Sequence, residues 1–253
     1  MTLKRYKFNL VVQRSHNEST YLACQYKPKI DMGISYQKKW LATQIVLVEQ
    51  LDTNIFEVFI ENTHNIVGGV GQYIELAFPD DIAISRRYSL VTCSPTKLSI
   101  HVQYHVFGSV SSRLTSMGAG RDVLITTPRG SYVLPSNAAH YSRVYAVANG
   151  TGMGVTLSLL ANLKHNSQVI IVSVSRKEKL SSCHKKLYST YIKQHPSAKI
   201  MVSSIDGLFN DKAIMLEHGS LFFVCGSPEL NQRFLQKSVD LKSRDSHVIQ
   251  EQF

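Results

Sequence analysis

Lysine and arginine are absent from residues 41–80, in a 253-residue chain whose formal net charge is nevertheless +10. The charged residues of that stretch are all acids: Glu49, Asp52, Glu57, Glu61, Glu75 and Asp80. The 28 basic residues, against 18 acidic ones, gather elsewhere, at Lys4, Arg5, Lys7, Arg14, Lys27, Lys29, Lys38 and Lys39, and again at Lys177, Lys179, Lys185, Lys186 and Lys193. Such asymmetry suits steering toward an anion: nucleotide phosphates, an acidic protein, nucleic acid or a membrane face. A solvated basic face has the same composition. No nucleic-acid-binding signature accompanies the charge, so nucleic acid is set aside as a partner.

Cysteine is scarce, and Cys24, Cys93, Cys183 and Cys225 lack the paired spacing of a zinc site. The ten histidines also lack metal-ligand spacing, so no metal is expected and no role is assigned to them. Met1 to Gln13 is basic and mixed where a secretory leader would be apolar. Reduced thiols and a cytoplasmic protein are therefore expected. One uncharged run, Val144–Leu163, has the length of a membrane span. Asn149, Gly150, Thr151, Gly152, Gly154 and Asn162 interrupt it, which predicts a buried strand, a glycine-rich turn and a helix, with no membrane span.

The organisation changes along the chain. Residues 1–39 offer candidate strands at Lys7–Val12 and Tyr21–Tyr26 with a turn at His16–Ser19, too little for a domain. From Trp40, strands are predicted at Ala42–Leu51, Ile55–Glu61, Gln72–Phe78, Arg87–Thr92, Leu98–Tyr104 and Asp122–Thr127. Their spacing argues for an antiparallel barrel or sandwich, interrupted by a loop and short helix from Gly108 to Leu114. After Pro135, strands at Val144–Ala148, Val169–Val174, Lys199–Val202 and Ser220–Cys225 alternate with helices at Gly154–Lys164, Ser181–Gln194 and Pro228–Gln236. That order predicts βαβ units on a parallel sheet. The expected division is an extension at 1–39, a β-rich domain at 40–137 and an α/β domain at 138–253.

Several stretches suit a flat, anionic ligand. Arg86-Arg87-Tyr88-Ser89-Leu90 reads as a strand end holding an aromatic ring between a cation and a hydroxyl. Gly108 to Leu114 supplies small residues and serine hydroxyls at a helix N-terminus, where outward N–H groups and the helix dipole favour phosphate. An ordinary capped helix reads the same way. Asn149-Gly150-Thr151-Gly152-Met153-Gly154 lies between a strand and a helix, where open α/β sheets bind ligands, without the G-x-G-x-x-G spacing. A tight connection explains it equally well. Cys225-Gly226-Ser227-Pro228 follows another buried strand. No His or Asp is placed by sequence to activate Cys225 as a nucleophile, so contact of its sulfur with a flat ring is the gentler reading.

Taken in order, these segments resemble the ferredoxin–NADP reductase superfamily. Arg86–Ser89 is similar to its R-x-Y-S, Gly108–Leu114 to its G-x-x-S-x-x-L phosphate loop, and Gly71-Gln72-Tyr73 to its G-Q-Y. Pro128-Arg129-Gly130 is similar to its G-P-x-G without the leading Gly, Gly150–Gly152 to its G-T-G, and Cys225–Pro228 to its C-G-P-P. The resemblance covers about residues 40–253 and implies an antiparallel six-stranded FAD-binding β-barrel followed by a parallel-sheet α/β NAD(P)-binding domain. Within the family it leans to the reductase components of ring-hydroxylating dioxygenases and soluble monooxygenases. Tyr21–Asp31 is similar to the last strand of their plant-type ferredoxin domain, with Cys24 at the fourth cluster-ligand position. No cysteine precedes Cys24, so a shortened remnant without a [2Fe–2S] cluster is expected.

By this resemblance FAD would lie against Arg86, Tyr88, Ser89, Val102, Gln103, Gly108, Val110, Ser111 and Phe253. NADPH or NADH would meet Gly150, Thr151, Gly152, Arg176, Cys225 and Gly226. Ser89, Cys225 and Glu251 would be the catalytic residues, serving hydride transfer from nicotinamide to flavin. The chain departs from the family where Asn149 and Val155 replace the Gly and Pro around G-T-G, where Ser227 replaces the first Pro of C-G-P-P, and where Gln103 replaces Arg. Two functions follow: a reductase passing electrons to a separate acceptor (a ferredoxin, an oxygenase component, flavin or a quinone, with an acidic protein or other protein partner expected), or a non-enzymatic reductase-fold scaffold or interaction subunit with or without FAD.

Overall fold

The computed structural model describes residues 39–163, 167–175, 179–210, 218–242 and 245–252, of which 238–242 and 252 by backbone alone. The ferredoxin-like remnant with Cys24, the Arg176 site and Phe253 lie outside the described residues.

Six strands close into an antiparallel barrel in the order β1-β2-β5-β4-β3-β6. They are β1 (Leu41–Asp52), β2 (Ile55–Glu61), β3 (Tyr73–Phe78), β4 (Asp81–Cys93), β5 (Lys97–Gln103) and β6 (Asp122–Ile125). Alternation drives each strand's inward face into one apolar core, with Ile45, Val58, Ile60, Leu76, Leu90, Ile100 and Val102 among its residues. In β1 the register shifts twice, between Ile45 and Leu47 and between Gln50 and Asp52; at the first shift Thr43 and Ile45 are buried, then Val46 and Leu47 are both exposed. A bulge between Ile45 and Leu47 accounts for the two consecutive outward residues.

Arg86–Leu90 was expected to end a strand. It lies inside the 13-residue β4 instead. There β4 changes partner: Arg86 to Ser89 pair with β3, while Leu90 to Cys93 pair with β5 and shift register between Leu90 and Thr92. A strand that serves two sides of a barrel has to bend, and the bend falls beside Tyr88 and Ser89.

The second half is a parallel five-stranded sheet in the order β11-β10-β7-β8-β9. Its strands are β7 (Arg143–Ala148), β8 (Gln168–Val174), β9 (Lys199–Ser203), β10 (Ser220–Gly226) and β11 (His247–Gln252). The interior strand β10, Ser220-Leu221-Phe222-Phe223-Val224-Cys225-Gly226, is buried along its whole length, as a strand covered on both faces must be. The helices are α1 (Ser109–Ser116), which belongs to the barrel, then α2 (Gly152–Leu160), α3 (Ser182–Gln194), α4 (Ile205–Asn210) and α5 (Pro228–Lys242).

Several readings change. Helix α2 starts at Gly152 where Gly154 was expected, so the turn before it shrinks to Asn149–Thr151. It was expected to bury one face, yet every residue but Ser158 is buried, because it lies between the sheet, α3 and the barrel strand β4. Helix α5 runs to Lys242, and α4 and β11 were not anticipated. The uncharged run at 144–163 divides into β7, a turn and α2, and no helix among the described residues is long and apolar enough to cross a membrane.

The barrel grips α3 through its first hairpin. Asp52 Oδ2 accepts the backbone N–H of Cys183 at 3.1 Å, and that bond above all holds the Asp52 carboxyl below its ordinary range. Ser181 Oγ accepts the N–H of His184 at 3.1 Å as the helix N-cap. Two acceptors thus meet the orphan amides of one helix end. Replacing Asp52 with Ala should destabilise the fold by on the order of 1 kcal/mol, read by thermal melting at pH 7. Because the folded-state pKa is lowered, the Asp52 contribution is present at neutral pH and lost as the pH falls below its ordinary 3.8. Melting curves of wild type and variant should converge in acid.

Candidate functional site

A groove of about 900 Å³ runs between the barrel and the carboxyl edge of the sheet. Strand β4 supplies Arg86, Arg87 and Tyr88, and β5 supplies His101 and Gln103. The loop into α1 adds His105, Val106, Phe107 and Gly108, followed by Ser109, Val110 and Ser111 of the helix itself. Asn149, Gly150 and Thr151 after β7, and Ser227 and Pro228 after β10, form the opposite wall. None of these described lining residues is acidic. A cleft with guanidinium, imidazole, hydroxyl and backbone donors and no carboxylate is suited to an anion. A second cavity, of about 460 Å³, opens beside Phe56, Tyr104 and Arg113. There Arg113 is already engaged by Asp80 at 2.9 Å, over the Phe78 ring.

The α1 terminus is built for a close approach. Gly108 is the N-cap, with no side-chain cap bond and no acidic residue in the first turn. A Cβ at Gly108 would crowd the Ser111 hydroxyl and press on the His105 carbonyl, so glycine leaves this loop room that a larger residue would take. First-turn amides without a side-chain cap are the ordinary setting for phosphate. On the facing wall Gly150 adopts φ +54, in the left-handed region that glycine enters freely.

Behind the groove lies a second layer. Ser89 is buried, and its Oγ donates to Glu251 Oε1 at 3.4 Å, joining residues 162 positions apart. Glu251 sits on β11 in register with Cys225 of β10. Burial pushes the Glu251 carboxyl up from 4.5 to about 7, against the opposing Ser89 hydrogen bond and the charge of Arg87. Burial, and then the Glu251 charge, push the Cys225 thiol well above its ordinary 9.0. Tyr132, fully buried, shares a 2.9 Å hydrogen bond with Thr156, and burial holds its phenol well above 10.0. At neutral pH the thiol and the phenol are therefore neutral. Glu251 alone among these three titrates near pH 7. Cys225 in this state is no thiolate nucleophile.

Of the residues singled out by sequence, Arg86, Tyr88, Gln103, Gly108, Val110, Ser111, Gly150 and Thr151 line the groove. Ser89, Gly152, Cys225 and Gly226 are buried behind it, with Glu251 half-buried beside them. Val102 points into the barrel core and offers the groove no side chain, since alternation along β5 turns it away from its neighbours His101 and Gln103. Arg86 is exposed, with Nη1 donating to the Ser85 carbonyl at 2.9 Å. Tyr88 is half-buried, and burial raises its phenol to about 12, so the ring is neutral.

Two histidines gain roles that spacing did not suggest. His184 Nε2 lies 2.9 Å from the Gly150 carbonyl and Nδ1 lies 2.7 Å from Ser173 Oγ. The carbonyl can only accept, so Nε2 carries the proton and Nδ1 accepts from the serine. Burial lowers the His184 pKa, which keeps the ring in that neutral form. His101, almost fully buried on the outer face of β5, packs against α2 where a Cβ at Gly154 would overlap its ring. The first-turn position of His184, three residues after its Ser181 cap, was legible in the sequence; its partner 34 residues upstream was not.

The Glu251 environment has a pH signature. A carboxyl whose folded pKa lies above its unfolded value favours the folded state below the unfolded value, and that advantage is lost as pH rises through the folded one. Stability should fall between about pH 5 and pH 7, the window set by 4.5 and about 7. Replacement of Glu251 with Gln should flatten that slope, as measured by thermal melting across the range.

Comparison with known proteins agrees with this architecture. No protein-family model matches the chain. The electron transfer subunit of dihydroorotate dehydrogenase B (NAD(+)) from Streptococcus pneumoniae is 22% identical over 207 residues, covering 78% of this chain and 79% of that protein. Among solved structures, the Amycolatopsis cytochrome P450 reductase GcoB superposes with a TM-score of 0.71 at 18% identity, over 92% of this chain and 78% of that one. A ferredoxin NADP+ reductase from Neisseria gonorrhoeae with bound FAD and NADP gives 0.68 at 16% identity, over 85% and 99%. A Malassezia yamatoensis flavohemoglobin with bound FAD and heme gives 0.67 at 20% identity, and this chain spans 60% of its length. With its closed antiparallel barrel, its parallel sheet and the groove between them, the chain has the ferredoxin–NADP reductase fold.

Proposed function

We propose that the protein is a flavin-dependent NAD(P)H reductase that binds FAD and a nicotinamide nucleotide, NADPH or NADH, in this groove and passes electrons to a separate acceptor. The observation that carries the reading is the groove itself: cationic and amide donors without carboxylates, Tyr88 on one wall, a glycine turn on the other, and a Ser89–Glu251 contact behind. The ligands bound in similar structures, FAD with NADP in one and FAD with heme in another, support it. Bound FAD would supply the redox chemistry, accepting a hydride from the nicotinamide and releasing electrons onward.

The chain's own residues do the rest. Tyr88, kept neutral, offers a flat apolar face for stacking. The α1 terminus from Gly108 to Ser111, together with Arg86, would hold the pyrophosphate. Gly150 and Thr151 would shape the nicotinamide side, with His184 fixing the Gly150 carbonyl. Ser89 Oγ donates to Glu251 Oε1, and the carboxyl, titrating near 7, binds or releases its own proton beside that hydroxyl at physiological pH. Cys225, a neutral thiol, contributes polarisable surface.

Purification tests the reading. The expected result is a yellow protein that bleaches anaerobically with NADPH or NADH. A colourless preparation that takes up no FAD would overturn the flavin assignment, and a yellow one that never bleaches would overturn the reductase. Replacing Tyr88 with Ala should weaken FAD retention about tenfold, the equivalent of one lost stacking contact of roughly 1.4 kcal/mol. For the acceptor, a net charge of +10 favours an acidic protein carrier. Its reduction rate should fall as salt rises from 0.05 to 0.5 M (roughly the range over which charges become screened), and a flat salt profile excludes the acidic partner.

A further inference from the structure

The two turns at the groove's sheet side are tied to each other by side chains. Ser227 N–H donates to Asn149 Oδ1 at 2.8 Å, and Asn149 Nδ2 donates to Ser227 Oγ at 3.0 Å. The backbone N–H can only donate, which fixes the orientation of the Asn149 carboxamide. The carboxamide lies against Gly226, where a Cβ would overlap its oxygen. Each partner is also held by other hydrogen bonds. Asn149 N–H donates to the Cys225 carbonyl at 3.3 Å, and its own carbonyl accepts Gly152 N–H at 3.1 Å. Asn231 of α5 lies within 3.0 and 3.2 Å of the Gly226 and Ser227 carbonyls. The reciprocal pair therefore bridges two firmly held backbones, 78 residues apart, at the lip of the groove.

We propose that Asn149 and Ser227 act as a clasp of positioning residues, setting the spacing of the two turns between which a nicotinamide ring is admitted. The proposal rests on the nicotinamide reading above. These are two of the positions at which the sequence departs from its relatives' Gly and Pro. A glycine has no carboxamide and a proline has no N–H, so neither departure makes this contact without the other. Together they turn two separate loops into one wall.

This has a particular mutational signature. Removing one partner strands the bridging groups of the other, whereas removing both leaves neither half of the bridge unpaired and costs only the weaker 3.4 Å bond from Leu230 N–H to Ser227 Oγ. Asn149→Gly and Ser227→Pro should each raise the NAD(P)H dissociation constant and KM about tenfold, with kcat changed less than about twofold. The double variant should recover to within about threefold of wild type, a non-additivity expected only of coupled residues. Ser227→Ala keeps the N–H and loses the 3.0 Å bond from Asn149 together with the 3.4 Å bond that Ser227 Oγ accepts from Leu230 N–H, so it should fall between wild type and Ser227→Pro; it also serves if the proline variant does not fold. Amide hydrogen exchange supplies a readout free of nucleotide: the Ser227 N–H should exchange at least about tenfold faster in Asn149→Gly, with the melting temperature nearly unchanged. Additive or absent effects in a wild type that binds NAD(P)H overturn the clasp. If the wild type binds no nucleotide, the nicotinamide role falls with the function above. Unchanged Ser227 exchange in Asn149→Gly then overturns the clasp by itself.

Discussion

Helix α2 is wedged between the two halves of the molecule, and the rest of the site depends on how closely it is held there. It presents glycine where each half presses on it. Gly152 meets the Cys225 carbonyl of β10, and Gly154 meets the His101 ring of β5. At both points a Cβ would occupy space already filled by its neighbour. This close approach brings the barrel's outer face and the sheet's carboxyl edge near enough to share one groove. It also explains why α2 shows no amphipathic stripe: a helix covered by sheet, barrel and α3 has no solvent face to keep polar.

Burial at that junction then sets the chemistry. The groups behind the groove are acids in a poorly solvated place, and each is pushed toward its neutral form. For a thiol and a phenol the result is inertness, since their ordinary values already lie above neutrality. For a carboxyl the same push carries Glu251 from well below neutrality to about 7, where it can hold or release a proton. Desolvation, acting on groups of different ordinary pKa, thus separates one titrating group from two silent ones. The opposing influences, Ser89 and Arg87, both come from the barrel strand, so the pKa of a residue on β11 is tuned across the groove by β4.

How much of this was legible follows from the range of each interaction. Strand β2 was read at its observed bounds because Thr53-Asn54 and Asn62-Thr63 punctuate a β-branched run locally. Helix α3 was found within a residue because its Ser181 cap is local too. Strand β11 was missed because His247-Val248-Ile249-Gln250-Glu251-Gln252 is short, half polar and followed at once by Phe253. Its strand conformation comes from pairing with β10 and from Asn231, whose side chain lies 3.0 Å from the Glu251 carbonyl. The meeting of Ser89, Cys225 and Glu251 was expected from the family resemblance. No periodicity in the chain would have joined residues 162 apart. The clasp lay further still from view, because in the sequence Asn149 and Ser227 were two separate departures.

Those departures bear on how such a site tolerates change. A groove wall made of two loops can be held by backbone packing alone, or by side chains that reach across it. The first needs small or rigid residues and leaves each loop free to vary. The second, seen here, makes the loops interdependent: Asn149 fills the space above Gly226 and satisfies the N–H that Ser227 exposes. His184 holds the other flank of the same turn through the Gly150 carbonyl, and its helix is anchored on the barrel by Asp52. The glycine turn is therefore braced from both sides by residues outside it, and one brace leads back to the barrel that forms the groove's opposite wall. A change in the spacing of barrel and sheet can reach Gly150 through α3 and through α2, which makes this turn a place where ligand contacts on the two walls are mechanically joined.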